Sequence, residues 1–151
     1  MTFRIAVLNG PNLNLLGQRE PALYGPHALA DVERMVREEA ARLEVGISFS
    51  QTNHEGALID AIQQLPGRAD GLLLNAGAYT HTSLAIRDAL LAVRVPFVEV
   101  HLSNLFARER RRQRSLLADL AVGVVTGFGA EGYVLALQGL QRHLSAARSQ
   151  G

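Results

Sequence analysis

Asn9-Gly10-Pro11-Asn12-Leu13-Asn14-Leu15-Leu16-Gly17-Gln18-Arg19-Glu20-Pro21-Ala22-Leu23-Tyr24-Gly25 lies between a short apolar run, Ile5 to Leu8, and a helical pattern that begins near Pro26. The apolar run reads as a buried strand. A strand and its following helix are usually joined by a handful of residues, and a much longer connection is more often functional. The content of this one agrees: glycines and prolines punctuate it, and asparagines, an arginine and a tyrosine are set among them. The rest of the chain reads as a frame for this loop.

Outward from the loop, strands and helices alternate. Phe3 to Leu8 is apolar without strict alternation, as expected of a strand covered on both faces. His27 to Leu43 places Leu29, Val32, Met35, Val36 and Ala40 at helical spacing with charged residues between them, and Gly46 is expected to stop that helix. Ile47 to Gln51 is a second strand. Thr52 or Asn53 is positioned to cap a helix from Glu55 to Leu65, which Pro66-Gly67 ends. Gly71 to Leu74 is the third strand, and Leu84 to Val93 is helical. Pro96 to Val100 is the fourth strand, followed by a stretch from Ser103 or Asn104 that reads as an arginine-rich helix. Ala121 to Thr126 is the fifth strand, and a final helix runs from Tyr133 to about Ala147. Five strands alternating with helices predict an α/β fold with an open parallel sheet, expected in the order 2-1-3-4-5. The switch point then lies between the first and third strands, where ligands bind beyond the carboxyl ends.

The composition narrows the chemistry. A chain of 151 residues, 48% apolar and 19% charged, is expected to form one globular domain over 1–151. No apolar run suggests a membrane span or a signal peptide, and a cytoplasmic location is expected. A net charge of +1 gives no overall bias toward nucleic acid or membrane. Cysteine is absent, so thiol nucleophiles and thiolate metal sites are excluded. All fifteen basic residues are arginine. Without lysine there is no side-chain amine for a Schiff base and no phosphate-loop lysine. The histidines show no metal-ligand spacing. Gly127-x-Gly129-x-x-Gly132 follows the last strand and reads as a turn rather than a dinucleotide fingerprint.

The polar segments after strands one, three and four should meet at one mouth. A phenol is a poor base unless its anion is stabilised, and a nearby guanidinium favours the charged form. Tyr24 and Arg19 share the long loop. His101, at a strand end, is suited to proton transfer near neutrality. Glu99 leaves the same strand face two residues earlier and is placed to orient the imidazole. Asn12, Asn75 and His81 offer hydrogen bonds to a polyhydroxylated ligand or a developing oxyanion. Each residue alone also has a plainer reading: Tyr24 as a loop cover, Arg19-Glu20 as a surface pair, His81 as a helix-start residue, His101 as a satisfied core histidine. Residue chemistry by itself stops at proton transfer on a small polar ligand.

Four motifs go further. Gly10-Pro11-Asn12-Leu13-Asn14-Leu15-Leu16-Gly17 with Arg19-Glu20-Pro21 and Tyr24-Gly25 closely resembles the type II 3-dehydroquinate dehydratases. So do Asn75 to Ser83, Glu99 to Asn104, and Gly123 to Tyr133. The resemblance covers nearly the whole chain. It implies a flavodoxin-like three-layer sandwich. It also implies dehydration of 3-dehydroquinate to 3-dehydroshikimate in the shikimate pathway or a quinate catabolic route, with no cofactor or metal.

Carried over by motif, the resemblance implies roles for single residues. Tyr24 would remove the C2 proton, with Arg19 holding it as phenolate. Asn12 would position a water that steadies the enolate. His101, oriented by Glu99, would protonate the departing hydroxyl. Asn75, His81, Arg112 and the backbone of Leu102 and Ser103 would bind the substrate's hydroxyls and carboxylate. Asp88 would reach the site of a neighbouring subunit, in trimers assembled into a homododecamer. The missing lysine agrees independently, because the alternative route to the same product uses an imine. A non-catalytic binder with the same pocket is the competing reading.

One region departs from the family pattern. After Ala107-Arg108-Glu109 the family often continues with an acidic residue, a phenylalanine, an arginine and a His-Ser pair. Here Arg110-Arg111-Arg112-Gln113-Arg114-Ser115 stands instead. Helical spacing would put Arg108 and Arg112 on one face.

Overall fold

The computed structural model describes residues 2–18 and 20–151, so Arg19 lies outside the described residues. Strands β1 (Arg4–Asn9), β2 (Gly46–Gln51), β3 (Gly71–Asn75), β4 (Phe97–His101) and β5 (Gly123–Thr126) form one parallel sheet in the order β2-β1-β3-β4-β5. This is the expected order, with the switch point between β1 and β3.

The two faces of the sheet explain why the strands lack a polar side. Successive side chains point to opposite faces. Ile5, Val7, Leu73 and Val98 pack against helices α2 (Leu29–Leu43) and α5 (Glu131–Gln150). Ala6, Leu8, Leu72 and Leu74 pack against α3 (Glu55–Gln63) and α4 (Leu84–Val93). Both faces are therefore core, and the result is the flavodoxin-like three-layer sandwich.

Register brings polar residues together at one edge. Asn9 of β1 stands opposite Gln51 of β2 and Asn75 of β3, and His101 of β4 stands opposite Thr126 of β5. The apolar strands thus all turn polar at their carboxyl ends, where the functional loops leave.

Several local expectations are corrected. Helix α2 begins at Leu29 rather than His27; the Ala28 N–H donates to the Asp31 carboxylate at 2.9 Å, a side-chain cap that fixes the start. Glu44, not Gly46, is the left-handed residue that ends α2, with φ 59°, and Gly46 opens β2. Neither Thr52 nor Asn53 caps α3. Thr52 Oγ1 accepts from the His54 N–H, and Asn53 is drawn to the long loop. That loop holds a 3-10 turn (Leu13–Leu15) and a four-residue helix, α1 (Pro21–Tyr24), neither anticipated.

The largest correction concerns the arginine-rich stretch, which is not a helix. It forms three separate 3-10 turns, Leu105–Ala107, Arg110–Arg112 and Ala118–Leu120, and Arg108 and Glu109 between the first two are extended. A continuous helix would stack arginines three and four residues apart, and like charges at those spacings oppose helix formation. Arg108 and Arg112 therefore share no helical face.

Candidate active site

The site grows from the contact of two loops at the switch point. The Gly10 N–H donates to the Asn75 carbonyl at 2.8 Å, continuing the β1–β3 pairing one residue past the strand. At this approach a Cβ on Gly10 would sit 2.5 Å from the Ala76 carbonyl oxygen, so only glycine fits. Asn12 then takes a left-handed turn with φ 68°. Its N–H donates to Asn53 Oδ1 at 3.0 Å, and Gln51 Nε2 donates to the same oxygen at 3.0 Å and to the Gly10 carbonyl at 3.1 Å. Tyr79 donates through its hydroxyl to the Asn53 carbonyl at 2.9 Å. Asn53 therefore ties the first loop to the loop after β3.

One pocket opens above this contact. Its lining includes Asn12, Tyr24, Asn75, His81, His101 and Arg112, from four separate stretches of chain, together with Leu102, Ser103 and Arg108. Of the residues singled out in the sequence, Glu99 stands behind the wall, Asp88 lies exposed on α4 away from the lining, and Arg19 is outside the described residues.

His101 is held from behind. Its Nε2 lies 2.7 Å from Glu99 Oε2, and Glu99 is wholly buried. The same-face expectation for this pair is met. The other carboxylate oxygen accepts from Ser115 Oγ at 2.7 Å. His81 lies beside His101, the rings nearly parallel with centroids 6.5 Å apart, and its Nδ1 is 2.8 Å from the Arg114 carbonyl. His81 ends a 3-10 turn, Gly77–His81, rather than starting a helix. A carbonyl only accepts, so Nδ1 of His81 carries a proton, and Nε2 is the acceptor whenever the ring is neutral.

Tyr24 meets a guanidinium that the sequence reading left without a role. Arg108 Nη2 donates to the Tyr24 hydroxyl oxygen at 3.3 Å, and Arg108 Nη1 donates to Ser103 Oγ at 3.0 Å. Arg112 is held by Glu109, Nε to Oε1 at 2.6 Å, and that hydrogen bond holds the Glu109 carboxyl below its usual range. The Leu102 carbonyl accepts from the Gly129 N–H at 2.9 Å and the Ser103 carbonyl from Thr126 Oγ1 at 2.8 Å. The segment after β4 is thereby pinned to the end of β5, and the glycine-rich turn serves as a tight turn against it.

Asn75 sits in a buried chain of hydrogen bonds. Its Nδ2 donates to the Tyr133 hydroxyl at 2.8 Å, which donates to Asn9 Oδ1 at 2.7 Å; Asn9 Nδ2 donates to the Ser50 carbonyl at 3.0 Å. The Gly77 N–H donates to Asn75 Oδ1 at 3.1 Å. One N–H of the Asn75 amide remains beyond these bonds, at the pocket wall. Burial pushes the Tyr133 pKa upward, so the hydroxyl keeps its proton and its donor role.

Arg108, Ser115, Asn53 and Tyr133 were not assigned a part in the site from sequence. Each acts through a partner at least sixteen residues away. Ser115 carried one signal, as the serine retained where the preceding histidine of the family pattern is arginine. Among the described residues no group of His, Asp or Glu is arranged to hold a metal ion.

The chain is similar to known proteins in sequence and fold. The family model described as Dehydroquinase class II matches residues 3–141. A 3-dehydroquinate dehydratase of Synechococcus is 58% identical over 94% of this chain and 97% of its own length. One from Dinoroseobacter shibae is 56% identical over 97% of this chain and 98% of its own. The crystal structure of a type II dehydroquinase from Butyrivibrio crossotus superimposes with a TM-score of 0.90 at 40% identity, covering 93% of this chain and 98% of that one. With both sequence and fold in agreement over nearly its full length, the chain belongs to the class II dehydroquinase family.

Proposed function

We propose that the chain dehydrates 3-dehydroquinate to 3-dehydroshikimate, a step of the shikimate pathway, through an enolate. Tyr24, as phenolate, takes the C2 proton. The electrons of that C–H bond pass into the enolate and then into the new C=C bond as the hydroxyl leaves. His101 gives the hydroxyl a proton, so that it departs as water. The observation that supports this most is the pairing of opposite supports at one pocket. The phenol oxygen faces the Arg108 guanidinium, which favours the anion, and the imidazole backs onto the Glu99 carboxylate, which favours the cation. The base and the acid thus stand on supports of opposite charge.

The remaining residues position the substrate. Arg19 assists Arg108 in holding the phenolate, and Asn12 positions a water at the enolate oxygen. Asn75 and the acceptor nitrogen of His81 take hydroxyls. Arg112 and the backbone of Leu102 and Ser103 take the carboxylate. Asp88, exposed on α4, completes the site of a neighbouring subunit in trimers assembled into a dodecamer. The chain acts as one catalytic domain over 1–151, without cofactor, in the cytoplasm. Among the described residues no helix is long and apolar enough to cross a membrane.

The test is incubation of the purified chain with 3-dehydroquinate alone, following the absorbance of the conjugated product. Tyr24→Phe and His101→Ala should each lower turnover by about 10²–10⁴-fold while circular dichroism stays that of the parent. Binding without product would leave the chain a non-catalytic binder. Near-parental turnover in Tyr24→Phe would remove tyrosine as the base.

A further inference from the structure

Ser115 lies outside the pocket lining, yet its hydroxyl is saturated in a way that dictates the chemistry in front of it. The N–H groups of Leu117 and Ala118 both donate to Ser115 Oγ, each at 3.0 Å. A hydroxyl has two lone pairs and one hydrogen. With both lone pairs taken, the hydrogen has one place to go, Glu99 Oε1 at 2.7 Å. Glu99 then accepts at that oxygen and, as a carboxylate, accepts at the other as well. With Glu99 as the carboxylate, the hydrogen bond at Oε2 takes its proton from His101 Nε2, and Nδ1 is then the ring nitrogen left for the substrate. The preceding residue acts in parallel, since the Arg114 carbonyl fixes the tautomer of His81.

We propose that Ser115 is a positioning residue of the dehydration. By donating to Glu99 it keeps the Nε2–H of His101 turned inward and reserves Nδ1 as the atom that delivers the proton to the leaving hydroxyl. This role presupposes His101 as the acid. Without the serine donor, a wholly buried carboxylate loses half of its support and takes up a proton more readily. A protonated Glu99 donates to Nε2 instead of accepting from it, and the ring loses its fixed orientation and its stabilised cation. Among the described residues the other ionisable groups lining this pocket are His81 after β3, Tyr24 on the first loop, and Arg108 and Arg112 after β4. None of them is bonded to Ser115.

The experiment compares Ser115→Ala, Ser115→Thr and His101→Ala with the parent in kcat, KM, the pH profile of kcat and the ¹⁵N shifts of His101. Ser115→Ala should lower kcat by about 10- to 100-fold with KM within about twofold, because Ser115 does not touch substrate. The acid limb of its profile should move to higher pH, and the His101 shifts should report a changed tautomer balance. Ser115→Thr, which keeps the hydroxyl, should restore kcat and profile. If Ser115→Ala does not fold, Ser115→Cys, a weak donor at the same position, is read in the same way. A parental kcat, or a loss equal at every pH with unchanged His101 shifts, overturns the proposal. An active His101→Ala would instead overturn the reading of His101 as the acid. An inactive His101→Ala beside an unaffected Ser115→Ala sinks Ser115 alone.

Discussion

The guanidinium of Arg108 lies 5.5 Å from the ring centre of Tyr24 and donates to its hydroxyl oxygen, although 84 residues separate the two. Tyr24 comes from the short helix α1 in the first loop, and Arg108 from the extended break between two 3-10 turns after β4. The break is what frees Arg108 to cross the pocket. In a continuous helix it would have stacked with Arg111 and Arg112. The positive charge that Arg108 brings beside the phenol is thus a product of tertiary structure.

Arg108→Gln should lower kcat by about 10- to 100-fold, the cost of withdrawing a charged hydrogen bond from the phenolate that serves as the base. It should have little further effect in a Tyr24→Phe background, because the two residues then act as one unit. Additive losses in the double variant would show that Arg108 serves something other than Tyr24.

Arg112 and its neighbours should separate by function. Arg112 is half-buried, lines the pocket and is oriented by Glu109, whereas Arg110 and Arg111 are exposed. Arg112→Ala should raise KM by about tenfold or more, as loss of a charge-assisted contact to a carboxylate does. Arg110→Ala with Arg111→Ala should leave KM near parental at physiological salt. It should lower kcat/KM a few-fold at low salt, where exposed charges steer an anionic substrate. A double variant matching the parent at every ionic strength and in assembled mass would leave those arginines as ordinary surface charge.

How far the sequence could be read depends on the range of the interaction. The parallel sheet was legible because apolar runs such as Leu72 to Leu74 and Ile5 to Leu8 report burial on both faces, which is local information; the strand order came from the commonest arrangement of five such strands and from no residue. Glu99 with His101 was legible because strand periodicity alone puts both on one face. Helix ends were less so. Glu44 takes the left-handed turn that Gly46 was expected to take, and nothing in a glutamate advertises it. The arginine stretch misled because helical spacing counts faces and ignores repulsion among them. Ser115 and Tyr133 act at distances of sixteen and fifty-eight residues, and no spacing rule reaches that far.

Gly10 should tolerate no side chain. The Cβ of Gly10→Ala would meet the backbone carbonyl of Ala76, which cannot rotate away as a side chain could. Either the β1 loop or the β3 loop must shift, and over-packing of this kind costs about 1–3 kcal/mol. The shift would also separate Asn12 from Asn75. The expected result is a lower denaturation midpoint together with a kcat loss larger than the change in stability predicts under native conditions. A fully active, parentally stable Gly10→Ala would show that the two loops are not held in this contact.

Tyr133→Phe tests whether the buried chain behind Asn75 sets the pocket wall. Among the described residues the Tyr133 hydroxyl alone links Asn75 Nδ2 to Asn9 Oδ1, and both amides are almost wholly buried. Removing it leaves a donor and an acceptor orphaned where water does not reach. Each such group costs on the order of 1–3 kcal/mol. Phenylalanine fills the same volume, so no cavity confuses the result. With its Nδ2 released, the Asn75 amide keeps, among the described residues, the single restraint of the Gly77 N–H at its oxygen, and it can turn its donors toward Tyr133's former position or toward the pocket. A residue that binds substrate hydroxyls then meets the ligand in several poses. KM should therefore rise several-fold while kcat, which depends on Tyr24 and His101, falls much less. Urea denaturation reads the stability and steady-state kinetics the split. Loss of stability with parental KM would make the chain a purely structural bond, and loss of kcat at constant KM would place Asn75 in the chemical step rather than in binding.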